Sequence, residues 1–276
     1  MQQKREMTVT TAEVSYYDRV GTYYDEDAPQ FENRYWANET LQIIRNSFRE
    51  ETERYPFASA LEIGFGPGVD LVYFAKKYPD RQFCGLDISK GMHDHAAAQI
   101  QKAGLKNVEV KVGSVEHIYE NFPGRQFDLI YVYFGALNTV EDLTLAADYL
   151  EMALAPGGRL VITVINKWYL AGMLLPLLKG RTKIAFQRLR ETWGGYSTSR
   201  HLDSKCYSPA DIRRSFSDFK VVRQRGYSIL FPAWYQDNLR KRMGKLSGLL
   251  WKLDGALNKT FFWSKGEYTL FVLERA

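Results

Sequence analysis

Two cysteines in 276 residues, Cys84 and Cys206, exclude a disulfide framework. Neither belongs to a C-x-x-C pair, so no zinc site is indicated, and Cys84 reads as packing in a buried strand. No apolar run reaches the roughly 18–20 residues needed to span a bilayer. The opening stretch MQQKREMTVTTAEVSYYD lacks the apolar core of a secretory leader, and a cytoplasmic protein is expected. Repeats and low-complexity tracts are absent. The net charge of +5 is mild, the basic residues are scattered, and no recognition motif appears, which argues against nucleic acid as a partner. What remains is an ordinary globular composition, 45% hydrophobic and 25% charged. That suffices for one large α/β domain, or a domain with a cap.

Strand and helix signals alternate from residue 58 to 164. Strands are expected at about 58–63, 82–87, 108–112, 127–133 and 159–164. Helices are expected at about 70–78, 91–103 and 141–154. This alternation predicts a parallel sheet with helices on both faces, and ligands outside the carboxyl ends of its strands. Ser208, Pro209 and Asp211 form a helix start, with serine as N-cap and proline at the first helical position. A sixth strand is expected over 221–230, helical pattern over 232–258 and a seventh strand over 267–274.

The most informative segment joins the first strand to the first helix of this series: Leu61-Glu62-Ile63-Gly64-Phe65-Gly66-Pro67-Gly68-Val69-Asp70. Glycines at alternate positions there permit a tight turn and close approach of backbone to a ligand. Asp87, ending the second strand, is placed to accept hydrogen bonds from a ribose diol. A dinucleotide fingerprint, G-x-G-x-x-G, requires a glycine or alanine where Val69 stands, which disfavours a nicotinamide-dependent oxidoreductase.

The pattern E-x-G-x-G-x-G instead resembles motif I of the class I S-adenosylmethionine-dependent methyltransferases. Four further segments in matching order strengthen the resemblance over roughly residues 55–166: Asp87-Ile88-Ser89, Gly113-Ser114-Val115-Glu116, Asp128 to Asn138, and Leu154-Ala155-Pro156-Gly157-Gly158. The chain looks like the broad small-molecule kind that includes the ubiquinone and menaquinone methyltransferases. The resemblance implies a Rossmann-like, seven-stranded, mostly parallel sheet with helices on both faces and a helical lid, the last strand in an antiparallel hairpin. It implies one methyltransferase domain over 1–276, divided into a helical lead-in over the cofactor (1–54), a cofactor-binding core (55–166), a lid insertion (167–207) and a part completing the sheet (208–276), with a helical insertion at about 232–263.

It also implies a cofactor, S-adenosyl-L-methionine, with S-adenosyl-L-homocysteine as product, and a set of residues to hold it. Glu62, Gly64, Phe65, Gly66 and Gly68 form the loop for the methionine part, aided by the field of the helix beginning near Asp70. Asp87 takes the ribose hydroxyls, Ile88 and Met92 pack on adenine, and Gly113, Ser114 and Val115 lie at its edge. Ser114 departs from the family's acidic residue, leaving the exocyclic amine to Glu116 or to a backbone carbonyl. Met92 as core and Glu116 as a solvated side chain stay open as alternatives.

Methyl transfer from a sulfonium is a direct displacement that calls chiefly for alignment and exclusion of water. A conspicuous catalytic residue is therefore not required, and none stands out. Tyr24, in the aromatic lead-in Tyr16 to Asp25, is expected over the cofactor, or in packing. Tyr133, Phe134 and Asn138 follow the fourth strand, beside the expected position of the methyl group. Tyr133 and Asn138 are the catalytic candidates there, with helix capping as the alternative for Asn138. His201 is a further candidate base, or a surface histidine.

The apolar run Trp168 to Leu178, followed by Lys179, Arg181, Lys183, Arg188 and Arg190, suggests a lid over a roomy apolar pocket. The same pattern fits peripheral membrane contact or a buried cap helix with a basic end. A second such region is Ile229 to Tyr235, followed by Arg240-Lys241-Arg242. The acceptor is expected to be small, apolar or aromatic, methylated at oxygen, nitrogen or carbon. The N/D-P-P-Y/F motif of adenine and amide enzymes is absent after strand four. A non-catalytic protein that binds S-adenosylmethionine as a partner or regulator is the alternative. The oligomeric state is open.

Overall fold

A computed structural model describes residues 15–195 and 200–275. The opening residues 1–14, which bear most of the leader reading, lie outside the described residues. The amino-terminal part contributes α1 (Tyr16–Ala37) and α2 (Glu39–Thr52). The alternating part follows as β1 (Ser59–Ile63), α3 (Val69–Lys77), β2 (Gln82–Asp87), α4 (Lys90–Lys102), β3 (Val108–Val112), α5 (Ile118–Asn121), β4 (Phe127–Val132), α6 (Leu143–Ala153) and β5 (Leu154–Ile165). Then come α7 (Leu170–Leu178), α8 (Thr182–Ala185), α9 (Pro209–Ser215), β6 (Phe219–Tyr227), α10 (Asp237–Met243), α11 (Lys245–Leu257) and β7 (Tyr268–Arg275).

The strands form one sheet in the order β3-β2-β1-β4-β5-β7-β6. Pairs from β3 to β5 are parallel; β7 runs antiparallel to both β5 and β6. This is the Rossmann-like, seven-stranded arrangement implied by the motifs. Chemistry separates centre from edge. In β5, Leu160, Val161, Ile162 and Val164 are all fully buried, because helices cover both faces of a parallel sheet. The edge strand β3 instead carries Glu109 and Lys111, and β6 carries Lys220 and Arg223, charges that discourage pairing with another sheet. One apolar cluster, around Ile130, Ile162 and Leu150, fills one side of the sheet. A second, around Phe74, Tyr131 and Phe48, fills the other.

Strand order reverses at β1, whose neighbours β2 and β4 bring successive connections to opposite faces. The crevice beyond the carboxyl ends of β1, β2 and β4 is thus the natural ligand position. Hydrogen bonding fixes its rim, with Gly64 N donating to Leu86 O at 2.7 Å.

Two of the expected strand boundaries shift by three residues or more. β5 begins at Leu154, with Leu154 aligned to Phe127 before an irregularity in register. β6 ends at Tyr227, three residues early. Beyond it Ser228 adopts a left-handed φ of 56°, and the N–H groups of Ile229, Leu230 and Phe231 donate to the buried Asp254 carboxylate at 2.9, 2.7 and 3.2 Å. A carboxylate from α11 thus takes donors that a longer strand would use. The buried-cap reading of 168–178 is also corrected: α7 contains no buried residue. Only Tyr169, before the helix, is fully enclosed.

Candidate functional site

The glycine loop leaves β1 in left-handed conformations, with φ of 71°, 55° and 81° at Gly64, Gly66 and Gly68. The environments differ. A Cβ at Gly64 would stand 2.4 Å from Ala136 Cβ, and one at Gly68 2.9 Å from Ala96 Cβ; one at Gly66 would meet nothing within 4 Å. Gly64 and Gly68 therefore serve close packing, while Gly66 opens on a cavity. That cavity has a volume of about 790 Å³.

At one end, Gly64, Phe65, Gly66, Asp87, Ile88 and Met92 line the cavity, with Gly113, Ser114 and Val115 alongside. Asp87 is oriented by two backbone donors, Gly66 N on Oδ2 at 2.7 Å and Ser89 N on Oδ1 at 2.9 Å. Burial pushes its carboxyl up to about 6, against the opposing pull of those N–H groups. Each oxygen retains a further lone pair, so the group can still accept from a diol.

Helix α1 closes this end. Ser15 caps it by accepting from Asp18 N, and α1 contributes Tyr17, Val20 and Tyr24 to the wall. Burial raises the Tyr24 hydroxyl above its ordinary value, with Tyr23 and the Asp87 carboxylate adding to the shift. The helix is fastened by Asp25, whose Oδ1 accepts from Ser89 Oγ at 2.6 Å and Gly91 N at 2.8 Å. Tyr17 donates to Glu116 Oε1 at 2.6 Å, and Tyr16 to Asp203 O at 2.7 Å.

Under the loop lies a charged cluster. Asp70, fully buried at the start of α3, pairs with Arg45 and, at 2.6 Å, with Arg49. The Arg45 guanidinium also lies over Phe134, 4.4 Å from the ring centroid, and its Nε has no hydrogen-bond partner. Glu62 accepts from Tyr131 at 3.1 Å. Burial, reinforced by Asp70, raises its carboxyl well above the ordinary range. Two guanidiniums, Arg45 and Arg49, thus share the one Asp70 carboxylate beside the loop. Motif reasoning missed Arg45. Its signal was the spacing of Arg45 and Arg49, four apart and interleaved with the buried Ile44 and Phe48 on one face of α2.

The other end of the cavity is aromatic, walled by Tyr35, Phe134, Trp193, Trp234, Tyr235 and Tyr268, with Asp237 and Lys241 at its border. Here too motif reasoning was silent, because these rings come from five separate parts of the chain.

Several expected site residues have other partners. Asn138 is completely buried; its Oδ1 accepts from Ile165 N at 2.9 Å, and its Nδ2 donates to Ile165 O and Lys205 O at 3.3 and 2.5 Å. It ties the segment after β4 to the end of β5. Tyr133 directs its hydroxyl to Thr52 Oγ1 at 2.5 Å and Phe48 O at 3.3 Å, in the packing between α2 and the sheet. Both touch the cavity without offering it an uncommitted polar atom. His201 faces solvent beside Asp203, 3.0 Å away, and does not line the cavity. Gly68 and Glu116 also lie outside the lining, the first against α4 and the second bonded to Tyr17. Among the described residues, no cluster of three or more histidine, cysteine or acidic side chains is arranged to hold a metal.

Residues 60–158 match the family model described as a methyltransferase domain. An uncharacterized protein of Rickettsia prowazekii is 36% identical over 139 residues, covering 49% of this chain and 54% of that one. A tRNA (guanine-N(7)-)-methyltransferase of Acinetobacter baylyi is 29% identical over 94 residues, 34% of this chain and 38% of that protein. The chain thus spans about half, or less, of these curated relatives. Among solved structures, phosphoethanolamine N-methyltransferase 2 of Haemonchus contortus, in complex with S-adenosyl-L-methionine, superimposes with a TM-score of 0.62 at 15% identity, over 96% of this chain and 60% of that one. That likeness speaks to the fold, and it does not reach the quinone subtype. Matched segment, sheet order and glycine loop agree: the chain contains a methyltransferase domain with the fold of the class I S-adenosylmethionine-dependent methyltransferases.

Proposed function

We propose that this protein transfers a methyl group from S-adenosylmethionine to a small apolar or aromatic acceptor, in the cavity that runs from the glycine loop to the aromatic wall. The observation carrying this reading is the continuity of that cavity: a nucleoside-type end at Asp87 and an aromatic end beyond Phe134 share one enclosure.

The residues present fit the cofactor. Asp87 is held to accept from a ribose diol, and Ile88 and Met92 offer apolar surface for the adenine, with Gly113, Ser114 and Val115 at its edge. Gly66 leaves open space where a side chain would intrude. The Arg45 guanidinium, with its unpartnered Nε, suits a carboxylate. Glu62 suits an ammonium, which favours loss of its proton. Bound there, S-adenosylmethionine supplies an activated methyl group. Tyr24 and Val20 of α1 exclude water from that end, and Phe134 separates it from the acceptor wall. Alignment and desolvation by these side chains carry the rate, and no side chain of the lining is required as a nucleophile. The division into a lead-in at 1–54, a core at 55–166, a segment at 167–207 and a closing part at 208–276 is proposed with this reading, as is a cytoplasmic location.

A small acceptor is favoured over nucleic acid, because the acceptor end is walled by rings, Tyr35 of α1 among them. Calorimetric titration with S-adenosylmethionine, S-adenosylhomocysteine and NADH tests the cofactor. Micromolar binding of the first two alone is expected, and a screen of phenols, quinones and amines, with tRNA as a comparison, then tests the acceptor. Binding of neither sulfur compound to folded protein would remove the reading. Binding without turnover on any acceptor would favour a regulatory protein.

A further inference from the structure

We infer that α7 and α8, with the segments flanking them, form a docking face for an anionic lipid surface. The inference is independent of the cofactor reading. Leu170, Leu174, Leu175, Leu178, Ile184 and Phe186 are all exposed, Leu178 to 84%. With Leu177, seven large apolar side chains exposed within 17 residues exceed what a monomer scatters over its surface, and such a patch marks an interaction site. Its chemistry selects the partner. Residues 166–190 contain no aspartate or glutamate, Glu191 being the next acidic residue, and Lys179, Arg181 and Lys183 follow directly on the leucines, each exposed. Trp168, 42% exposed, stands at the rim with Lys265 5.8 Å from its ring centroid, an aromatic-plus-cation edge of the kind that settles at a lipid headgroup layer. A protein partner of ordinary composition gives no reason for three cations set directly after an exposed leucine run; an anionic bilayer does. At nine residues the helix is too short to span a bilayer, which leaves an interfacial position for it. Tyr169 anchors its start in the core, packed against Gly172 and under the Arg188 guanidinium. The leucines thus project from a fixed base.

The test is co-sedimentation of the full-length protein with vesicles of phosphatidylcholine alone, or of phosphatidylcholine with a minority of phosphatidylglycerol. Binding to the mixed vesicles only is expected. Leu174→Ser/Leu178→Ser should weaken partitioning by about tenfold or more, and Lys179→Glu/Arg181→Glu/Lys183→Glu should abolish it. All five positions are exposed, so the variants retain the fold, which circular dichroism checks. Leu145→Ser/Met152→Ser, on the exposed face of α6, should leave binding unchanged. The proposal is overturned if neither vesicle is bound, or if the leucine variant binds like the parent. An equal loss in the α6 variant also overturns it. So does light scattering that shows a dimer dissolved by the leucine substitutions, which would assign the face to a second copy.

Discussion

Asp87 is held ionisable by its surroundings rather than by its type. Folded, it keeps its proton up to about pH 6, above the ordinary carboxylate range. Between that range and pH 6 the folded state binds more protons than the unfolded one, so this group's contribution to stability falls as pH rises through the window. Accepting two backbone donors and a diol together needs the carboxylate. Affinity for S-adenosylhomocysteine should therefore rise with pH through about 6 and level off above it. Asp87→Asn should weaken binding by about 2–3 kcal/mol and flatten that profile, as calorimetry at several pH values would show; unchanged affinity would remove Asp87 from the site. Asn138 makes the opposite kind of prediction. Its three side-chain hydrogen bonds are internal, so Asn138→Ala should lower unfolding free energy by roughly 2–4 kcal/mol in denaturant titration. Turnover measured well below the melting temperature should change by only a few fold. The sequence placed both residues beside the cavity, since position after a strand is a matter of chain order. Where a buried amide spends its hydrogen bonds depends on Ile165 and Lys205, 27 and 67 residues away, and no local pattern carries that.

Among the elements, α1 lines much of the site and packs on α4 and α2 rather than on the sheet. Its polar hold on α4 runs through Asp25, whose carboxylate is shared between Ser89 Oγ and Gly91 N, beside the packing of Ala28 on Gly91. Asp25→Ala should leave the sheet intact and loosen the roof: limited proteolysis should cut within residues 15–37 faster, and S-adenosylhomocysteine should dissociate several-fold faster in stopped-flow. Equal protection in parent and variant would mean that the roof is held by its rings instead. Strands were the most legible elements. β2 and β3 fall where expected because an apolar run in the first and strict apolar–charged alternation in the second, each between turn signals, leave few alternatives. The end of β6 was not legible, since Asp254 claims its backbone donors from a helix some 25 residues later. Helix α7 was legible as a helix, yet its exposure was not, because an apolar segment reads alike whether protein or another phase covers it.

At the scale of the molecule, the cavity couples ligand to fold, since α1, α2, the sheet ends and the segment before α10 all wall it. A ligand binding only this folded arrangement stabilises it by mass action. S-adenosylhomocysteine at a hundredfold excess over its Kd should add about 2.7 kcal/mol to unfolding, and Asp87→Asn should lose most of that gain at the same concentration. A thermal scan without ligand dependence would place the binding elsewhere. The sheet holds a consequence of another sort. Among the described strands β6 pairs only with β7, and β7 lies inside, between β5 and β6, although it follows both along the chain. As the polypeptide leaves the ribosome, β6 therefore emerges with no neighbour to join. The growing sheet must wait with a bare edge at β5 until Tyr268 to Arg275 arrive and seat both strands together. Synthesis order and assembly order differ here by one strand, and that interval is when the nascent chain has most need of a chaperone.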